Sequence, residues 1–162
     1  MDSLIWAPQR KLCGGPALQT STSRKVAGVL VALTGFLGIV ILGTDRILWE
    51  SLSGRHAYGL IAFVVIDFAV APYITAKAGK MAFTAAAAWS ALRVVAQLAN
   101  IYSATEIGLT YAQFANYLFN PIIIQPGNPP GIPAVPMDLI IILEIVVVGI
   151  GWKGRSAAQK TV

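Results

Sequence analysis

The stretch MAFTAAAAWSALRVVAQLANIY, from Met81 to Tyr102, decides how the chain is read. About 20 residues rising roughly 1.5 Å each cross the hydrocarbon of a bilayer, and this run is long and apolar enough to do so. Yet it carries Ser90, Arg93, Gln97 and Asn100. Those positions step by three, four and three residues, so they share one helix face. A charge at mid-membrane costs about 3 kcal/mol on insertion scales. A stripe that contains an arginine therefore has to face protein or a wet cavity, not lipid.

The composition around this stretch agrees. Of 162 residues, 56% are hydrophobic and 12% charged, whereas a soluble domain carries about 25% charged residues. The apolar residues gather in blocks, which predicts an all-α integral membrane protein. The formal net charge of +5 is no nucleic-acid signal, because the cations sit mainly at the ends of the apolar blocks, where they set topology. The lone Cys13 allows no intrachain disulfide, and the lone His56 argues against a His-based copper, haem or zinc site built from this chain alone. No cofactor and no metal site are expected.

Four spans follow from the blocks, at about 26–43, 57–76, 81–102 and 137–152. Residues 1–25 read as a cytoplasmic N-terminal arm, 26–152 as a four-transmembrane-helix bundle, and 153–162 as a cytoplasmic tail. In the first span Gly28, Ala32 and Gly35 lie along one side, with Gly38 and Gly43 beyond. Small residues at such spacings let another helix come close. Pro72 would kink the second span near its far end. Trp49, Tyr58 and Tyr73 suit the membrane interfaces. The turn Lys77 to Lys80 makes spans two and three an antiparallel hairpin.

The outer loop, 103–136, has two parts. Thr105 to Phe119 fits an interfacial helix. The rest holds Pro121, Pro126, Pro129, Pro130, Pro133 and Pro136, a density that prevents helix and favours stiff extended chain. Ile122 to Ile124 and Ile132 are unusually apolar for a solvated loop, so this surface is expected to be covered by a partner.

The cations fix the orientation. Arg10, Lys11, Arg24, Lys25, Lys77, Lys80, Lys153, Arg155 and Lys160 fall on one side, and Arg46 and Arg55 on the other. The positive-inside rule then puts both termini in the cytoplasm and the long loop outside, in a multi-pass protein of the cell membrane.

Three ionisable residues lie deep. Asp67 is roughly 15 Å from Lys77, Arg93 roughly 20 Å from Lys80, and Glu144 roughly 14 Å from Lys153 by helical rise. An arginine side chain can bridge those differences. One cation and two acids are thus expected to meet at one level, the guanidinium fork serving both carboxylates and Ser90, Gln97 and Asn100 completing the hydrogen bonds. Such a cluster fixes helix order, relays protons or ions with its surplus acid, or pairs with residues of another subunit.

No nucleophile–base pair, metal motif or phosphate loop is present, so the chain by itself reads as no enzyme. The expected function is that of a non-catalytic accessory subunit in a multi-subunit membrane complex, of the respiratory or monooxygenase type by analogy of size and topology. It would contact other membrane subunits through loop 103–136 and its small-residue helix faces. The alternative is a small oligomeric ion, proton or solute transporter using Asp67, Arg93 and Glu144.

Overall fold

In the computed structural model, residues 16–44, 49, 54–103 and 137–159 are described. They form four helices: α1 (Pro16–Thr44), α2 (Arg55–Ala76), α3 (Lys80–Ser103) and α4 (Met137–Gln159). Loop 104–136, residues 1–15, Asp45, Glu50 and the end of the C-terminal tail lie outside the described residues. So do the expected interfacial helix and proline-rich contact surface.

Among the described residues three helical stretches are long and apolar enough to cross a membrane: Ser21–Thr44, Arg55–Ala76 and Lys80–Ala99. The fourth helix is of similar length but carries Asp138, Glu144, Lys153 and Arg155 within its 23 residues. Helix α1 begins at Pro16, inside what reads as the N-terminal arm. The apolar block starts only at Val26, but a helix can extend beyond hydrocarbon. Proline suits its first position, where no backbone donor is needed.

Each helix buries one narrow stripe. On α2 it is Ala57, Leu60, Val64, Asp67, Ala71 and Ile74. On α3 it is Ala82, Phe83, Ala86, Ser90, Arg93 and Gln97, and on α4 it includes Ile140, Glu144 and Val147. On α1 it includes Ala27, Val31, Thr34 and Ile41. On α2, on α4 and from Phe83 onward on α3 the steps alternate between three and four, averaging near 3.5 residues, and on α1 the step from Thr34 to Ile41 is two such steps, seven residues. A stripe of that period stays on its neighbour only if the helices wind gently left-handed around one another.

Consecutive helices run antiparallel. The most extensive packing is between α1 and α2 and between α3 and α4, with α1 against α4 next. Gly28 approaches the Ala71 carbonyl, so that a Cβ there would stand 2.9 Å from its oxygen. Gly35 faces Asp67 and Gly38 faces Val64. Gly151 lies against the backbone of Phe83 and Ala87, and Gly154 against the Phe83 ring. The small side of the first span is thus taken up inside the bundle, against α2. Gly43 has nothing within 4 Å of a Cβ position.

The turn between α2 and α3 is as short as expected, with Gly79 at φ +86°, where a side chain would be strained. Even so, α2 and α3 share much less packing than the other neighbouring pairs. Helix α2 runs unbroken through Pro72.

Candidate functional site

The sequence places Asp67, Arg93 and Glu144 at a common depth on three helices, and the structure joins them and adds a position on the first. Thr34 of α1, Asp67 of α2, Ser90 and Arg93 of α3 and Glu144 of α4 are all 0% exposed. They form a single polar layer across the bundle. Apolar residues lie on the basic side of it: Ala27, Val31, Ala71, Ile74, Ala86 and Val147 form one cluster.

Arg93 is the centre. Its Nη1 donates to Asp67 Oδ2 in a wholly buried ion pair. The same nitrogen donates to Thr34 Oγ1 at 3.3 Å and lies 3.3 Å from Glu144 Oε1. The Thr34 hydroxyl in turn donates to the Val31 carbonyl, 2.8 Å away. Asp67 is served twice, since Trp89 Nε1 donates to its other oxygen at 2.7 Å. The guanidinium also lies over the Phe63 ring, 5.3 Å from its centroid, an arrangement that favours a cation electrostatically. Phe63 and Trp89 themselves touch, with centroids 5.7 Å apart.

Local helix geometry explains this lattice. Phe63 and Asp67 are four residues apart on α2, and Trp89 and Arg93 four apart on α3, so each pair lies on one face. The two faces oppose each other across the α2–α3 seam.

The two acids are not treated alike. Both oxygens of Asp67 accept hydrogen bonds. Both oxygens of Glu144, the Ser90 hydroxyl, and Nε and Nη2 of Arg93 are buried without a hydrogen-bond partner. The 3.3 Å approach of Glu144 to Arg93 is therefore an ion pair without aligned hydrogen bonds. This differs from the expected fork: one terminal nitrogen, not both arms of the guanidinium, reaches the neighbours. Ser90 is in the layer, fully buried beside Arg93. Gln97 is 8% exposed and sits one turn further along α3. The side chain of Asn100 lies outside the described residues.

Thr34, Trp89 and Phe63 belong to the site and were not picked out from sequence. Depth could have found Thr34. It stands nine residues beyond Lys25, or roughly 14 Å by helical rise, level with Asp67 and Glu144. Trp89 adjoins the stripe in sequence, but an indole there reads first as apolar bulk. Among the described residues no group of three or more His, Cys, Asp or Glu is placed to hold a metal ion.

No family model, no curated protein and no solved structure matches the chain.

Proposed function

We propose that the chain is a non-catalytic subunit of a larger membrane assembly, a four-span scaffold with both termini in the cytoplasm and α4 as its fourth span in the cell membrane. One observation carries the reading. Arg93 is fully buried and engages acids of both α2 and α4, so the charges deep in the chain are directed at one another. A buried ion pair of this kind fixes which helices adjoin and in what register. That is work done for architecture. The apolar, proline-rich segment 121–136 supplies the reason to expect a partner.

The test is purification from native membranes in a mild detergent. Stoichiometric partner subunits are expected. Replacing residues 121–136 by a Gly/Ser linker should leave the bundle intact and release a partner. Recovery of the chain alone overturns the reading, and co-purification unaffected by that replacement removes the segment 121–136 as the contact surface.

A second reading is a small oligomeric transporter of protons or ions. It is favoured by the unsatisfied polar atoms of Glu144, Ser90 and Arg93, which leave polar capacity inside the layer. A homogeneous homo-oligomer whose flux is lost in Asp67→Asn or Glu144→Gln would decide for it.

A further inference from the structure

The end of the bundle at the start of α1 is a one-signed surface. Arg24 and Lys25 of α1, Lys77 after α2, Lys80 of α3, and Lys153 and Arg155 of α4 gather there. The acids among the described residues are Asp67 and Glu144 in the interior layer and Asp138 at the opposite end. No acid among the described residues offsets these cations. All but Arg24 are exposed.

The cations are also brought together. Arg24 Nη1 donates to the Lys77 carbonyl at the end of α2. Its Nε is buried and has no hydrogen-bond partner. Lys77 is separated by two residues from Lys80, which opens α3. The first turn of α3 contains no acid, so its free backbone N–H groups and the positive end of its dipole add to the same field. On the far side of α3, Gly154 rests on the Phe83 ring. That contact holds Lys153 and Arg155 within about one helical turn of Lys80 along the bundle axis.

We propose that the corner made by Arg24, Lys77 and Lys80 binds the phosphate of an anionic phospholipid headgroup. The inference rests on the membrane reading of the three apolar stretches. Those stretches begin or end at these residues: Ser21–Thr44 contains Arg24 near its start, Arg55–Ala76 ends beside Lys77, and Lys80–Ala99 opens on Lys80. The cations therefore stand at the boundary between hydrocarbon and headgroup, where a lipid phosphate lies. Three cations with no offsetting acid suit a headgroup of net negative charge. A zwitterionic headgroup brings its own cation and gains less. Basic pockets between membrane helices bind anionic headgroups on the same grounds.

The experiment uses the full chain in nanodiscs of phosphatidylcholine with and without phosphatidylglycerol, followed by native mass spectrometry of retained lipid. The wild type is expected to retain phosphatidylglycerol in preference to phosphatidylcholine, and to lose the preference as salt is raised. Lys77→Gln with Lys80→Gln should cut it roughly fivefold per cation removed, the effect of one Lys or Arg near an anionic surface. Arg55→Gln, at the other end, should leave it unchanged. Equal retention of the two lipids by wild type overturns the proposal, and so does an equal loss from Arg55→Gln. If the double variant does not fold, the salt dependence of the wild type decides. A chain that inserts into neither lipid mixture instead overturns the membrane reading itself.

Discussion

The α1–α2 seam and the α2–α3 seam solve the same packing problem in opposite ways. Between α1 and α2 the approach is close because Gly28, Gly35 and Gly38 present no side chain to Ala71, Asp67 and Val64. Between α2 and α3 the space is filled by Phe63 and Trp89, and these helices share little packing elsewhere. In lipid there is no water to expel, so helices associate through contact area and polar bonds. The glycine seam gains by area. The aromatic seam gains by its bonds to the charged layer, since Trp89 holds Asp67 and Phe63 underlies Arg93. Sequence adjacency and a short turn therefore do not make the closest pair.

The largest break in this comparison removes Arg93, whose Nη1 reaches Thr34 of α1 and Asp67 of α2 at once. Arg93→Ala would strand Asp67 and Glu144, both 0% exposed. Removing one partner of a buried ion pair costs about 3–5 kcal/mol. Sharply lower folded yield and a lower unfolding midpoint in detergent are expected, and Arg93→Lys should recover only part, because an ammonium lacks the planar fork. Wild-type stability in Arg93→Ala would mean that the layer holds nothing together.

Trp89→Phe isolates the aromatic seam. It keeps a ring against Phe63 but removes the donor to Asp67 Oδ1. A hydrogen bond to a charged group contributes about 1.5–3 kcal/mol, and a loss near the lower end is expected because Trp89 is only half-buried. The check is thermal unfolding beside the double variant Trp89→Phe, Asp67→Asn. The two losses should be non-additive, because both act on one bond.

How much of this was legible beforehand differs by feature. The depth of Asp67, Arg93 and Glu144 could be counted from the flanking lysines, because helical rise is fixed. The stripe Ser90, Arg93, Gln97 was legible because polar residues at three- and four-residue steps stand out in an apolar run. Thr34 was legible by depth alone and not by residue type, because a threonine hydroxyl can bond its own helix, as it does at Val31, and so places no demand on its neighbours. Which helices pair most closely was not legible either. Glycines stood out on α1, but the sequence did not say that α2 would meet them. The spread of three contacts over one guanidinium nitrogen depends on side-chain placement that spacing does not encode.

Gly151→Ala tests the other close seam. A Cβ at Gly151 would lie 2.8 Å from the Phe83 carbonyl oxygen and 2.9 Å from the Ala87 nitrogen. Both are backbone atoms of α3 and cannot rotate away, so α4 must move. Overpacking of this kind costs about 1–3 kcal/mol. The expected result is a lower unfolding midpoint, partly restored by Ala87→Gly, since the Ala87 Cβ is the third atom in the way, at 2.9 Å. No restoration would place the strain wholly on the backbone contacts.

The smallest effect should come from Gly59→Ala, and its sign is the useful part. Gly59 is on α2 like the partners of the α1 glycines, but a Cβ there would meet nothing within 4 Å. The backbone is helical, so alanine fits without strain and reduces the freedom lost on folding. Gains of about 0.4–1 kcal/mol are usual for such changes. A slight rise in unfolding midpoint is expected, opposite in direction to Gly151→Ala. If Gly59→Ala instead destabilised the protein in native membranes but not in detergent, something in the membrane would be packed against that bare face. The contrast between close and open glycines would then locate a neighbour of the bundle.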